Sequence, residues 1–382
     1  MADLISRAGH FVEQGRGYST FAPEPLPPNP PVAFDIEMVR LLSAADRALG
    51  RLDGAAKTMP NPDLFVTMYV RQEAVASSRI EGTQSTLDDV LAFELDADSR
   101  DVPRDVEEVV NYVAAMNYGL ARVSSLPPSR RLIREMHSEL LQGVRGAEKR
   151  PGEFRTQQVH IGAPGVPISR AAFIPPAPDD MDRALDAFER FLNEDADLPP
   201  LIYCGLAHAQ FEIIHPFMDG NGRVGRLLIT FLLCFRGVLH RPLLYLSAFL
   251  ANNRPEYYDR LMAIRLRGDW EGWLKFFLRG VAETADEAAR TSQQILELRE
   301  QHRGLLHAAG AGTNAQRLLD LLFEKPLLNI KFVQASLTIS YTPASRLIAQ
   351  FQDLGIIEEI TGQRRNRRFR YTPYLSLFEE RP

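Results

Sequence analysis

His215-Pro216-Phe217-Met218-Asp219-Gly220-Asn221-Gly222-Arg223-Val224-Gly225-Arg226 lies between two apolar runs, Leu201 to Ile214 and Arg223 to Arg236, each patterned as a buried helix. The polar stretch therefore reads as a loop in a helical protein, with Gly-Asn-Gly directly before the second helix. Free backbone N–H groups at a helix N-terminus, with glycines admitting close approach, suit a phosphate.

His215 ends the first helix, where an imidazole with an ordinary pKa of about 6.5 can take a proton from an incoming hydroxyl. It is the candidate general base. Asp219 offers a hard oxygen ligand for Mg²⁺, an ion that usually binds one or two carboxylates together with substrate phosphates. Gly220, Asn221 and Gly222 would cradle phosphate oxygens, and Asn221 can also cap the following helix. Arg223 and Arg226 are three apart, so they share a helix face and can both reach phosphates. Together these groups describe phosphoryl or nucleotidyl transfer to a hydroxyl. Singly, each has a plain alternative: a satisfied helix-end histidine, a solvated arginine face. The P-loop and kinase motifs are absent.

The chain has 382 residues and a formal net charge of -5, which argues against a surface coated for nucleic acid. Cys204 and Cys234, the only cysteines, fall in the two apolar runs and read as buried structural thiols. The N-terminus lacks a secretory pattern and no apolar run spans a bilayer, so a cytoplasmic protein is expected.

Residues 1–34 read as a Pro-rich arm, extended against the body or mobile. From Asp35 to residue 307 the pattern is helical with short connections. The stretch from Pro62 ends in Ser77-Ser78-Arg79-Ile80-Glu81-Gly82, with Ser77 and Glu81 one turn apart and Gly82 at a helix stop. Residues 153–178 change character, and the alternation around Val159-His160-Ile161 with a turn at Gly162 to Gly165 reads as a short β-hairpin. Its edge could pair with an extended peptide. Ala308 to Gly312 reads as a flexible joint. Residues 313–382 then show three short helices and a hairpin, the order of a winged helix, with Thr342 as N-cap of the third helix. Arg364, Arg365, Arg367, Arg368 and Arg370 on the hairpin make DNA a candidate partner, beside a protein-interaction role.

The central stretch matches without a gap the H-x-F-x-[DE]-G-N-G-R-x-x-R motif and resembles the Fic (Fic/Doc, Fido) family, mostly protein adenylyltransferases. The resemblance implies a mainly α fold: a Fic-type helical bundle with a short β-hairpin flap, plus a C-terminal winged-helix domain. It implies AMP transfer from ATP to a Ser, Thr or Tyr hydroxyl of a target protein, with possible self-modification. It gives His215 the role of base, Asp219 that of Mg²⁺ ligand, Gly220 to Gly222 that of anion hole, and Arg223 and Arg226 the outer phosphates. Ser77 to Gly82 resembles the family's inhibitory [ST]-x-x-x-E-[GN] pattern, so that Glu81 would compete with the γ-phosphate for Arg226 from the helix of residues 62–82. The 153–178 hairpin would be the flap that docks the target. Asn253, Tyr257 and Tyr258 resemble the adenine-pocket segment, with ordinary packing as the alternative for the tyrosines. A homodimer is a further expectation. Three rivals stand beside this reading: a kinase-like member, which departs at Gly-Asn-Gly; an enzyme that removes AMP; and a DNA-binding regulator with a nucleotide-sensing domain.

Overall fold

The computed structural model describes residues 7–15, 17–58, 62–96, 103, 105–123, 125–162, 165–194 and 197–378. The architecture is mainly helical, with two small sheets among the described residues. The first is a departure from the arm expected of residues 1–34. β1 (Gly9–Gln14) and β2 (Tyr18–Pro23) form an antiparallel hairpin, and the Pro-rich segment begins only after it. Alternation in His10-Phe11-Val12 and Tyr18-Ser19-Thr20-Phe21 about two glycines was the sequence signal. β2 runs on into the body, where the Phe21 amide donates to the Ile174 carbonyl at 3.0 Å.

Eleven helices build the body: α1 (Ile36–Thr58), α2 (Pro62–Ile80), α3 (Leu87–Leu95), α4 (Val106–Arg122), α5 (Arg130–Leu140), α6 (Pro178–Asn193), α7 (Pro200–Ile214), α8 (Asn221–Phe235), α9 (Leu246–Asn252), α10 (Arg254–Arg267) and α11 (Trp270–Ala308). α7 is buried on every side, which accounts for its unbroken apolar run, and α8 packs beside it. Wholly buried Cys204 on α7 has its thiol pKa pushed up by that burial. No described helix is long and apolar enough to cross a membrane. α6 was not read from the sequence, although Pro178, two aspartates in the first turn and Met181, Leu185, Phe188 and Leu192 at helical spacing announce it.

The hairpin expected in residues 153–178 does not form as a ladder. One bridge, Ile161 to Phe173, holds the segment, and a 3-10 turn occupies Ile168–Arg170; Ala163 and Pro164 of the expected turn lie outside the described residues. Pro167, Pro175 and Pro176 lack the N–H groups that further rungs need.

Ala308 to Gly312, expected as a flexible joint, ends and caps α11: Ala308 is its last residue, and the amides of Ala309 and Ala311 donate to the carbonyls of Leu305 and Leu306. Then come α12 (Thr313–Glu324), β3 (Leu327–Asn329), α13 (Ile330–Leu337), α14 (Tyr341–Asp353), β4 (Glu358–Glu359) and β5 (Arg368–Arg370), with α15 (Thr372–Leu375) last. β5 is the middle strand, antiparallel to both β3 and β4. Thr342 is not the N-cap of α14. The helix starts two residues earlier than that cap requires, at Tyr341, with Ser340 at the cap position and no side-chain capping bond.

This C-terminal module grips α2. Its apolar cluster takes in Met68 of α2 and Leu91 of α3. Arg71 of α2, 2% exposed, donates to both oxygens of Glu94 at 2.9 and 2.5 Å and to the Glu324 carbonyl at 3.2 Å, while Lys325 reaches Glu94 at 2.6 Å. Gln72 donates to the Phe378 carbonyl at 2.7 Å. Arg71→Met should lower stability by about 2 kcal/mol, less than the ~3–5 of a fully buried pair because Lys325 still serves Glu94. The midpoint of urea unfolding measures it.

Candidate active site

α7 ends because His215 turns its backbone into the left-handed region, at φ 50°, and Gly220 does the same at φ 77° to start α8. Between these two reversals the loop is short. Asn221 and Gly222, expected in the loop, are the first residues of α8. The Asn221 side chain caps nothing. It folds back, buried, to accept from the Phe217 amide and donate to the Phe217 carbonyl, both at 2.8 Å. Its role here is to staple the loop, leaving the backbone N–H groups of the α8 first turn for any anion.

Two residues that the sequence did not single out hold the loop from outside. His137 of α5 stacks on Phe217 with ring centroids 3.7 Å apart, accepts the Gly152 amide at Nδ1 and donates from Nε2 to the Asp219 carbonyl. Burial lowers its pKa to about 4, so it stays neutral and keeps that tautomer. Arg155 donates to the carbonyls of His215 at 2.9 Å, Gln157 at 3.2 Å and Pro176 at 2.6 Å. It thereby ties the His215 backbone to both sides of the 153–178 segment.

The His215 ring is half-buried among cations. Burial first, then the charges of Arg265 and Arg155, lower its pKa to about 3, and Glu81 opposes them. The expected ordinary value near 6.5 is therefore displaced, and the imidazole is neutral throughout the physiological range. Arg265 itself lies over the Phe173 ring at 3.5 Å, and burial brings its guanidinium down to about 10.

Arg223 and Arg226 do share a face of α8, both 1% exposed, and both are engaged. Arg223 donates to Glu108 of α4 at 2.8 Å, a partner hidden 115 residues away in the chain. Arg226 is held by three groups of α2 and its C-terminal turn. Its Nε donates to the Ser77 hydroxyl at 2.9 Å, and its Nη2 to the Ser77 carbonyl at 3.0 Å and Glu81 Oε1 at 2.7 Å. Gly82, at φ 94°, lets the chain leave the helix directly after Glu81. The Glu81 carboxylate also covers Gly222: a Cβ there would sit 2.3 Å from Oε1. One carboxylate thus lies against both the first turn of α8 and the arginine.

Asp219, at the mouth of this site, accepts its neighbour's Gly220 amide at Oδ1 and leaves a side chain 39% exposed. Asn253 is spent on the Phe249 carbonyl at 2.9 Å. Tyr257 is a core residue and not a pocket lining: it is 1% exposed, its hydroxyl donates to His208 Nε2, and its ring lies among His208, Tyr258 and Trp273. Tyr258 alone of the three presents its ring outward, at 44% exposure.

Burial works to raise the Glu81 pKa, but the charge and hydrogen bond of Arg226 more than reverse it, and the net shift is downward. A depressed carboxylate stabilises the fold above its unfolded pKa and ceases to do so as pH falls through its folded value. The Tm difference between the wild-type chain and Glu81→Gln should therefore be widest near neutral pH and close progressively below about pH 4.5, the unfolded Glu range.

Residues 39–121 match the model of the Fic/DOC family N-terminal region, and residues 127–233 that of the Fic/DOC family. Proteins named protein adenylyltransferase Fic from Drosophila melanogaster and Drosophila virilis are 29% identical over 221 residues, 56% of this chain. The match spans only 41% and 42% of the length of those relatives. Among solved structures, a Fic family protein from Desulfovibrio desulfuricans superposes with a TM-score of 0.60 at 23% identity, over 89% of this chain and 97% of that one. A Fic domain containing signaling protein from Bacteroides thetaiotaomicron gives a TM-score of 0.52 at 18% identity, over 67% of this chain and 97% of the other. Loop, helix pair and family models agree: residues 39–121 and 127–233 of this chain form a Fic/DOC family N-terminal region and a Fic/DOC family region.

Proposed function

We propose that this chain transfers AMP from ATP to a hydroxyl side chain of a target protein and is held inactive by its own Glu81. The observation that carries the reading is the placement of the Glu81 carboxylate, 2.7 Å from Arg226 and against Gly222. A carboxylate held there fills an anion site with an anion from the same chain. Once Glu81 withdraws, the α8 N-terminus and Arg226 would receive the β- and γ-phosphates of ATP, with Arg223 kept beside them by Glu108.

The target oxygen then bonds to the α-phosphorus, the bond to pyrophosphate breaks, and the hydroxyl proton passes to His215. The ring is already neutral and needs no prior deprotonation; phosphate charge entering the site raises its basicity. Arg155 and His137 keep the base and the loop in place while the substrates align.

Mg²⁺ fits the donor set. Asp219 is one partly exposed carboxylate at the site's mouth, and no cluster of three ligating side chains exists among the described residues. That is the arrangement for an ion that completes its shell with waters and substrate phosphates. Bound there by Asp219, the ion would supply charge neutralisation for the phosphates.

Target docking would use the 153–178 segment, where a peptide strand beside residues 157–162 would meet the site. On the C-terminal hairpin, Arg370 and Arg368 face Asp88 at 3.2 Å and Asp96 at 3.8 Å. Acids of the α3 region thus engage two of the five arginines of this hairpin.

Incubation with labelled ATP, Mg²⁺ and lysate tests the function. Glu81→Gly should raise AMP transfer about tenfold or more, and adding His215→Ala should remove about 10²-fold or more of it. Unchanged labelling in Glu81→Gly sinks the inhibitory role, and labelling that survives His215→Ala sinks the base.

A further inference from the structure

The face of α2 that meets α8 carries an unusual stripe for a buried surface. Glu73, Ser77 and Glu81 follow one another at intervals of four, on one side of the helix and its terminal turn. Ser77 and Glu81 hold Arg226, as described. Glu73, 3% exposed, lies two turns deeper and touches no cation directly among the described residues. A buried carboxylate without an ionic partner persists only when its oxygens are satisfied otherwise. Three donors do so: the Ser247 amide at 2.9 Å, the Ser247 hydroxyl, and the Tyr112 hydroxyl at 3.1 Å. They come from α9 and α4, so one side chain fastens α2 to two other helices. α9 leads straight into Asn253 and the start of α10, and α4 carries Glu108, the partner of Arg223. Glu73 is thus the point where α2, the Arg223 support and the Asn253 segment are locked together.

We propose that Glu73 is a positioning residue for the site: it sets the register of α2 against α4 and α9, and through Ser77 it places Arg226 whether or not Glu81 is present. The proposal rests on the reading that Arg226 serves ATP. Its consequence has two opposite signs. With Glu81 in place, a loosened α2 lets the carboxylate leave Arg226 more often, and AMP transfer rises. With Glu81 removed, the same loosening takes Ser77 away from Arg226, and the use of ATP worsens. General destabilisation would lower activity in both backgrounds.

The experiment compares Glu73→Ala and Glu73→Gln, each in the otherwise wild-type chain and in the Glu81→Gly chain. Hydrogen exchange is read at the amides of Glu81 and Gly82, which donate to Ser78 and Arg79. Glu73→Ala should speed that exchange about tenfold while leaving α8 amides unchanged. It should raise AMP transfer about fivefold in the Glu81 background and lower kcat/KM for ATP about fivefold in the Glu81→Gly background. Glu73→Gln should restore both, because its oxygen still accepts the Ser247 amide and its NH₂ donates to the two hydroxyls once they rotate. Activity shifts of one sign in both backgrounds, or unchanged exchange at Glu81 and Gly82, overturn the proposal. Should Glu73→Ala not fold, Tyr112→Phe, which removes one donor and keeps the ring, should give the same signs with smaller size; no effect from it would overturn the proposal. If the Glu81→Gly chain transfers no AMP at all, the function fails, and the exchange data still decide whether Glu73 sets the register of α2.

Discussion

Arg226 is a guanidinium with almost no exposed surface, and a buried cation must be answered by partners that surround it. Much of the site follows from that demand. The residue sits in the second turn of α8, on a helix whose remaining faces are apolar, so its partners come from a neighbouring helix. α2 supplies a hydroxyl, a carbonyl and a carboxylate within one turn. Burial alone would lower the Arg226 pKa; the Glu81 charge outweighs it, and the pair raises the arginine and lowers the glutamate together.

The loop before α8 was legible because its chemistry lies within twelve consecutive residues, and helix spacing alone made neighbours of Arg223 and Arg226. Ser77 and Glu81 were legible as one helix face, although their partner across the fold was known only by resemblance. What stayed hidden has a common cause. Glu108, His137 and Arg155 look like ordinary helix or loop residues until the fold brings them against the loop, and each acts largely through backbone carbonyls or a single distant partner. Sequence spacing carries no signal for such contacts. Asn221 misled in the opposite direction: a residue type suited to capping was turned back on Phe217, since a closed pair of bonds to that residue satisfies it more fully than one capping bond.

The two β segments show how local pattern and tertiary context divide the work. The hairpin of residues 9–23 obeys simple alternation and forms. The 153–178 segment alternates as well, but its prolines withhold donors, and its shape comes from Arg155, Arg265 and the Phe21 amide instead of a ladder. Its carbonyls are taken up largely by side chains and by the Phe21 amide, as with Gln157, Ile174, Pro175 and Pro176.

α2 is held at two places by different parts of the molecule: Arg71 and Gln72 by the C-terminal module, and the end at Ser77 and Glu81 by Arg226. The two contacts thus sit on one continuous helix. Linkage then imposes a symmetry. Any ligand of the C-terminal module that prefers one setting of α2 changes the affinity of Arg226 for its anion by some factor, and that anion changes the affinity of the distant ligand by the same factor. A nucleotide bound at one end would be legible, in free energy, at the other.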